Sequence, residues 1–218
     1  VTASFRGFSA VTDLVAWAGG SRGTVLRTIN GGARWEPVPV ARAESLDFRD
    51  VHGVSATVAY AMSAGPAEQG QARIYKTLDG GSTWTLQWSD STKGVFLDGM
   101  AFWDATHGVA FSDPVAGKLV ILRTDDGATW QKVDPANIPP VLPGEAAFAA
   151  SGTSITVQGK SNAWIATGGA GEARVFRTTE IKSELITENA AMITMKSSRK
   201  KLIVFSRFST HRKLSHFC

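Results

Sequence analysis

The sequence predicts an all-β fold made of repeated four-stranded units, and three observations carry this prediction. One motif recurs along the chain with a period near 50 residues. Between the repeats, apolar runs of about five residues are separated by Gly, Asp, Asn and Ser, which is typical of short antiparallel strands joined by turns. No 3.6-residue periodicity is sustained over 1–180, so long amphipathic helices are not expected there.

The recurring motif, here called the box, stands out most clearly in three segments. It reads VLRTINGGARW, IYKTLDGGSTW and ILRTDDGATW at 25–35, 74–84 and 121–130. A fourth copy begins as VFRTTE at 175–180 and then stops matching. The steps from Asn30 to Asp79 and from Asp79 to Asp126 are 49 and 47 residues. This spacing is typical of a four-stranded blade of a β-propeller.

A second pattern precedes each box and predicts the innermost strand of each unit. In each of the first three units, two apolar positions are nine residues apart: Phe8 and Trp17, Val51 and Tyr60, and Met100 and Val109. The fourth unit keeps the apolar run at 163–169 but has a longer lead-in. Each unit is therefore expected to contain an inner strand, a strand of small residues, a strand entering the box and a strand leaving it.

The boxes resemble the Asp-box of bacterial neuraminidase-type (BNR) repeats, and the resemblance covers 5–180. The segments SFRG at 4–7, DFRDV at 47–51 and FLD at 96–98 are similar to bacterial BNR-repeat proteins described as photosystem II stability or assembly factor-like, or loosely as oxidoreductases. This resemblance implies a β-propeller, in that family usually of about six to eight blades. About four blades are present here, so the propeller is expected to be incomplete relative to the family.

The box residues are expected to have a structural role. A turn containing Asn-Gly or Asp-Gly requires positive φ, which glycine adopts without steric cost, and an Asp or Asn side chain accepts backbone hydrogen bonds there. A Trp side chain buries roughly 150–250 Å² between neighbouring sheets. The predicted structural set is Asn30, Trp35, Asp79, Trp84, Asp126 and Trp130, with all three Trp buried at blade packing surfaces.

Aligned inner strands place charged residues at one position of successive units. Arg6, Arg49 and Asp98 share that position in the first three, and Glu145 roughly corresponds in the fourth. Because the innermost strands of a propeller line its central channel, these four side chains are predicted to converge there. Charged groups in such a place either pair with one another or face a ligand.

Other carboxylates raise the alternative of a glycoside hydrolase, which uses an acid and a second carboxylate across the scissile bond. Candidates near strand ends are Asp47, Asp50, Asp98, Asp104 and Asp113, of which Asp104 and Asp113 are better explained as turn residues. A sialidase-like site, by resemblance, would also need three arginines and a tyrosine nucleophile. Tyr60 and Tyr75 both fall in predicted blade strands, so the enzyme alternative has weak support.

Charge and composition change abruptly near residue 180. Of the 23 basic and 19 acidic side chains, eight basic and two acidic ones lie in 181–218. The body over 1–180 therefore has a net charge of −2, and we do not expect it to bind nucleic acid. The tail also contains no Gly, Pro or Trp. We therefore divide the chain into propeller blades over 1–180 and a basic, non-repeat tail over 181–218.

The tail admits two interpretations. A shifted reading frame or foreign sequence after codon 180 would explain the loss of the repeat, and we favour this interpretation. Alternatively, a native extension supplies a strand over 202–205 that completes the fourth blade, or a short helix over 185–195. The single Cys218 gives no disulfide framework.

Two functional hypotheses follow. The first is a non-enzymatic binding or assembly-factor-like module whose channel mouth holds a protein, small-molecule or carbohydrate ligand; the second is a glycoside hydrolase or sialidase-like enzyme. No cofactor and no metal site are expected, because the histidines lack ligand spacing. No apolar run is long enough for a membrane span, and we expect a secretory signal to be either absent or already removed. The resemblance implies a periplasmic or extracellular location. Open blades are expected to permit self-association.

Overall fold

The computed structural model describes residues 2–150, 152–169 and 171–178, together with the backbone of Ile193–Met195. Within this part of the chain the fold is all-β, as predicted. Two single-turn 3-10 segments, Ala67–Gln69 and Pro135–Asn137, are the helical elements among the described residues. No helix in the described ranges has the length and apolar character needed to cross a lipid bilayer.

Three regular sheets follow one another along the chain, each with four antiparallel strands in sequential order. The first sheet contains β1 (Phe5–Ala10), β2 (Ala16–Gly20), β3 (Val25–Thr28) and β4 (Glu36–Pro37). The second contains β5 (Phe48–Gly53), β6 (Ala59–Ser63), β7 (Arg73–Thr77) and β8 (Thr85–Ser89). The third contains β9 (Leu97–Phe102), β10 (Gly108–Val115), β11 (Lys118–Thr124) and β12 (Gln131–Lys132).

The fourth sheet departs from this pattern at its innermost strand. Two short strands share that position, because β13 and β14 pair with opposite halves of β15. An excursion, described over 147–150 and 152–154, separates them. The strands of this sheet are β13 (Glu145–Ala146), β14 (Ile155–Gln158), β15 (Asn162–Gly169), β16 (Ala173–Thr178) and β17 (Ile193–Met195).

The four sheets pack face to face in chain order and form the blades of a β-propeller. A separate apolar core fills each of the three interfaces, with Trp17 and Phe48 in the first, Tyr60 and Leu97 in the second, and Phe111 in the third. The innermost strands also pack in sequence, β1 against β5, β5 against β9 and β9 against β14. The all-β propeller predicted from the repeat is therefore confirmed.

Most of the tail lies outside the described residues, including the strand considered over 202–205 and the boundary near 180. The short strand Ile193–Met195 pairs antiparallel with β16 and takes the outer position of the fourth blade. The alternative of a helix over 185–195 does not agree with this strand at its last three residues. A strand is favoured there because it pairs with the backbone N–H and C=O groups that β16 would otherwise leave unpaired at its edge.

Candidate binding site at the propeller axis

A β-bulge interrupts the innermost strand of each of the first three blades at the same place. Phe5 and Gly7 pair with consecutive residues of β2, which leaves Arg6 without a partner in the ladder. Arg49 in β5 and Asp98 in β9 are skipped in the same way. A bulge redirects the side chain of its extra residue. The three residues aligned from the sequence thus occupy one structural position, here called the bulge row.

The two arginines of the bulge row have different surroundings. Arg6 is exposed and takes part in no ion pair among the described residues. The Arg49 guanidinium donates to the Asp47 carboxylate, with Nε 2.8 Å from Oδ2, and lies 5.6 Å from the centre of the Phe96 ring. Arg49 is therefore held by Asp47 of its own blade and by Phe96 of the third, whereas Arg6 is exposed to solvent.

Asp98 is the buried member of the bulge row. Asp98 is only 2% exposed, and its Oδ2 has no hydrogen-bond partner in the described part of the chain. Burial, followed by the negative charge of Asp113, raises the pKa of Asp98 to about 8, although the Asp113 backbone N–H and the Arg49 charge oppose the shift. At neutral pH this carboxyl group is therefore largely protonated.

Asp50, next to the bulge, is where the blades meet. Its Oδ2 accepts a hydrogen bond of 2.8 Å from the backbone N–H of Met100 in the third blade. A Cβ built on Gly7 of the first blade would lie 3.0 Å from the Asp50 backbone, and one built on Gly152 of the fourth would lie 2.6 Å from its carboxyl carbon. Burial raises the pKa of Asp50 to about 7. Residues of all four blades therefore come together around Asp50.

Sequence reasoning treated Asp50 only as one of several strand-end carboxylates and did not place it in the channel set. The inner-strand alignment contained the necessary signal, because Asp50 adjoins the aligned Arg49. What the alignment lacked was the contact with Gly152, which lies in the excursion unique to the fourth blade. No repeat predicts the path of that excursion.

Glu145 does not occupy the bulge-row position in the strand pairing of its sheet. It pairs with Gly169, at the far end of β15 from the segment paired with β14. Its Oε2 is 2.6 Å from Nη1 of Arg174, and Thr167 Oγ1 donates to its other carboxylate oxygen. Both charged side chains are buried. Glu145 is thus paired within its own blade, and a channel role for it stays a prediction.

Side-chain hydrogen bonds close the three box turns. Asn30 Oδ1 accepts from the backbone N–H of Arg34 at 2.9 Å, and Asp79 Oδ1 accepts from that of Thr83 at 2.9 Å. Asp126 accepts from Ala128 and Thr129 in the same manner. The Thr83 hydroxyl and backbone lower the pKa of Asp79 to about 2, and hydrogen bonds from Thr129 and Ala128 likewise lower the pKa of Asp126. These contacts are all within the turns.

The box tryptophans connect neighbouring blades to different extents. Trp130 is buried and its indole Nε1 donates to Gln87 Oε1 of the second blade at 3.1 Å. Trp84 donates to the Val38 carbonyl of the first blade at 3.1 Å but is only half-buried. Trp35 is also half-buried, and its ring contacts that of Phe8 in its own blade at a tilt of 53°. The predicted burial of all three tryptophans is wrong for Trp35, which contacts its own blade, and for Trp84, since both are half-buried while Trp130 is buried.

Metal binding finds no support in the described residues, where no group of three His, Cys, Asp or Glu side chains is arranged to hold an ion. His107 pairs with Asp104 at 2.9 Å in an exposed turn. Asp113 accepts from the backbone N–H of Ala147 at 2.9 Å, so it anchors the start of the excursion in the fourth blade. Of the two arginines in the bulge row, only Arg49 forms an ion pair among the described residues.

Solved propeller structures are similar to this chain at low identity. YCF48 bound to a D1 peptide superposes with a TM-score of 0.50 at 16% identity, over 84% of this chain and 66% of that one. YCF48 from Cyanidioschyzon merolae gives 0.51 at 16% identity, over 90% and 57%. The GH74 enzyme of Niastella koreensis gives 0.56 at 13% identity, over 80% and 28%. These likenesses support the fold.

The chain spans only part of each of these similar structures, between 28% and 66% of their lengths. No protein-family model matches the sequence, and no curated protein matches it.

Proposed function

We propose that the protein is a non-enzymatic binding module, assembly-factor-like, that holds a segment of a partner protein or a small ligand at the axial face formed by the bulge row. The observation that carries this proposal is the exposed, unpaired Arg6 guanidinium at the same structural position as Arg49 and Asp98. An arginine side chain binds carboxylate groups through two parallel hydrogen bonds. The ligand group that contacts this face is therefore an anionic one.

The surroundings of Arg6 favour an added anion over a resident partner. Two acids of the innermost strands, Asp50 and Asp98, have pKa values raised to about 7 and about 8, so at neutral pH Asp98 is largely protonated and Asp50 about half protonated. Arg49 already pairs with Asp47. The YCF48 structure with a bound D1 peptide supports a peptide as the ligand class, because it shows one propeller of this general fold with a peptide bound.

The competing function is glycoside hydrolysis. It is favoured by two carboxyl groups of raised pKa at the axis, since a glycosidase acid must stay protonated near neutral pH. It is also favoured by the fold likeness to the GH74 enzyme. Against it, Asp50 and Asp98 are 7% and 2% exposed, so a sugar ring has no access to either. We therefore prefer the binding module.

A binding measurement on matched arginine variants tests the proposal. Acidic peptides ending in a free carboxylate, and separately the D1 peptide, are titrated calorimetrically against the full chain, Arg6→Ala and Arg34→Ala. Arg34 is an exposed arginine of the same blade in a box turn, away from the axis. We expect Arg6→Ala to weaken binding about tenfold, since a charge-assisted contact contributes about 1.5–3 kcal/mol, and Arg34→Ala to leave it unchanged.

Equal weakening in both variants, or binding that is insensitive to both, would contradict the axial site. The same preparations are assayed for release of the aryl group from aryl sialosides and aryl glucosides. Hydrolysis that disappears in Asp98→Asn and persists in Arg6→Ala would replace the binding module with the enzyme.

A further inference from the structure

An apolar cavity lies between the third and fourth blades, away from the axis. Its walls come from β10, β11 and the segment after β12 on one side, and from β15 and β16 on the other. The residues that define it here are Val109, Ile121, Val133, Ala163, Ile165 and Phe176. Few polar groups line it, apart from Arg123, Arg177 and Thr178.

The position of this cavity is equivalent to the position between the first two blades that the Trp84 side chain occupies. Between the first two blades, Trp84 packs against Trp17 with the rings 6.2 Å apart and nearly perpendicular. Strand pairing places Val109 where Trp17 stands, since Trp17 faces Arg27 and Val109 faces Arg123. The same register equates Ala163 with Ala59.

The hydrogen-bonding partners are repeated as well. The backbone N–H of Val38 donates to the Val25 carbonyl, and that of Val133 donates to the Ile121 carbonyl. Val133 is therefore the counterpart of Val38, whose carbonyl accepts the indole N–H of Trp84 at 3.1 Å. A ring in the cavity would find the Val133 carbonyl at the corresponding place.

The third repeated feature is a basic side chain of one blade that lies against the box of the next blade along the chain. Arg27 lies directly beneath Gly80 of the second box, because a Cβ on that glycine would be 2.0 Å from its Nη1. Lys76 donates to the Gly127 carbonyl of the third box at 2.7 Å. The equivalent Arg123 lines the cavity and is paired with Asp125 of its own turn instead.

The sequence of the fourth unit provides no indole for this place. Trp35 and Trp84 stand seven residues after Thr28 and Thr77. The residue seven after Thr178 is Leu185, and no Trp occurs in 181–218. The walls of a tryptophan socket are thus present, and the chain's own sequence does not supply the tryptophan.

We propose that this socket between the third and fourth blades is a second binding site, which takes the indole side chain of a peptide with box-like sequence. The ring lies among the apolar walls, its N–H donates to the Val133 carbonyl, and Arg123 donates to a backbone carbonyl of the peptide turn. The site is separate from the bulge row and does not depend on the function proposed for it.

A peptide of this chain's own second box provides the probe. The octapeptide TLDGGSTW, identical to residues 77–84, is titrated into protein with labelled isoleucine methyl groups, and the same peptide with Ala in place of Trp serves as its control. We expect saturable shifts of the Ile121 and Ile165 methyl resonances with the Trp peptide alone, because an aromatic ring shifts the nuclei it packs against. Free indole is expected to shift the same methyl groups.

Variants separate the two halves of the recognition. Ala163→Leu narrows the socket, and we expect it to weaken the binding of the octapeptide and of free indole about tenfold or more. Ala166→Leu changes an exposed position of the same strand and should leave the binding of both unchanged. Arg123→Gln should weaken the octapeptide and spare free indole. Circular dichroism and melting temperature establish that each variant is folded.

Four results would overturn the proposal. They are equal binding of the Trp and Ala peptides, no saturable shift at millimolar peptide, shifts confined to other methyl groups, and retained binding in a folded Ala163→Leu protein. Should Ala163→Leu fail to fold, Arg123→Gln carries the test, and equal affinity of that variant and the unchanged protein for the octapeptide counts against the proposal.

Discussion

Asp98 shows how one residue of the bulge row depends on its surroundings. The inner-strand pattern of the sequence predicts its position, because the repeat fixes the register of β1, β5 and β9. Its protonation is a property of the fold, since burial and the nearby Asp113 raise its pKa. Neither the depth of the site nor the neighbour from β10 can be read from the local sequence around residue 98.

The pH dependence of folding provides a test of this environment. The folded protein keeps the Asp98 proton up to about pH 8, whereas the unfolded chain releases it near pH 4. The folded state thus binds more protons across that window, and the free energy of unfolding decreases as pH rises through it. At about 1.4 kcal/mol per pKa unit, we expect Asp98→Asn to recover a few kcal/mol at pH 8 in urea titrations.

The matched control is Asp13→Asn, which changes an exposed carboxylate of the first blade. It should leave the pH slope of the unchanged protein intact. Some slope is expected to remain in Asp98→Asn, because burial also raises the pKa of Asp50 to about 7. Identical slopes for the unchanged protein and Asp98→Asn would show that the carboxyl group is not buried as described.

At the scale of the element, the box joins one blade to the one before it. The sequence predicts the turn itself, because Asn-Gly and Asp-Gly pairs select positive φ, observed at Gly31 and Gly80. It also predicts that the Trp faces a sheet. How deeply each Trp is buried depends on the neighbouring blade, and this is where the prediction failed for Trp35 and, in part, for Trp84.

Truncating two box tryptophans separates the interface role from the turn role. Trp130→Ala removes a buried ring and its hydrogen bond to Gln87, and we expect a loss of about 3–5 kcal/mol in the free energy of unfolding. Trp35→Ala removes a half-buried ring from an equivalent turn and should cost roughly 1 kcal/mol. Chemical denaturation measures both, and equal losses would mean that packing between blades is not what the ring contributes.

The whole molecule presents an apolar surface on its first blade. Phe8 is 64% exposed and contacts the half-buried Trp35 at 6.3 Å between ring centres. In the inner blades the same Trp position packs on a preceding sheet. We therefore expect the exposed Phe8, beside the half-buried Trp35, to take part in association.

Sedimentation velocity over a range of concentrations tests for such association. We expect the sedimentation coefficient of the full chain to increase with concentration, and Phe8→Ser to reduce the increase. Leu78→Ser changes a side chain of similar exposure, 68%, on the second blade, and should have little effect. A concentration-independent monomer, or equal effects of the two variants, would show that the first blade does not associate.

Residues from the other three blades come together at Asp50, Met100 and Gly152 at its carboxyl group and Gly7 at its backbone, next to the bulge row. The repeat predicts that inner strands line an axis. It does not predict that the excursion described over 147–150 and 152–154 crosses to the second blade, because that segment has no counterpart in the other units. The contact between Gly152 and Asp50 therefore cannot be predicted from the repeat, and it is the most informative contact to test.

A double-mutant cycle at this contact is the most direct measurement. Gly152→Ala places a Cβ 2.6 Å from the Asp50 carboxyl carbon at φ +67°, while the control Gly117→Ala has a similar φ of +79° and open space around it. We expect Gly152→Ala to reduce the free energy of unfolding by clearly more than the roughly 1–2 kcal/mol of backbone strain expected in Gly117→Ala. Adding Asp50→Ala should recover the excess. Equal losses in the two glycine variants, or strict additivity with Asp50→Ala, would contradict the convergence of the blades at Asp50.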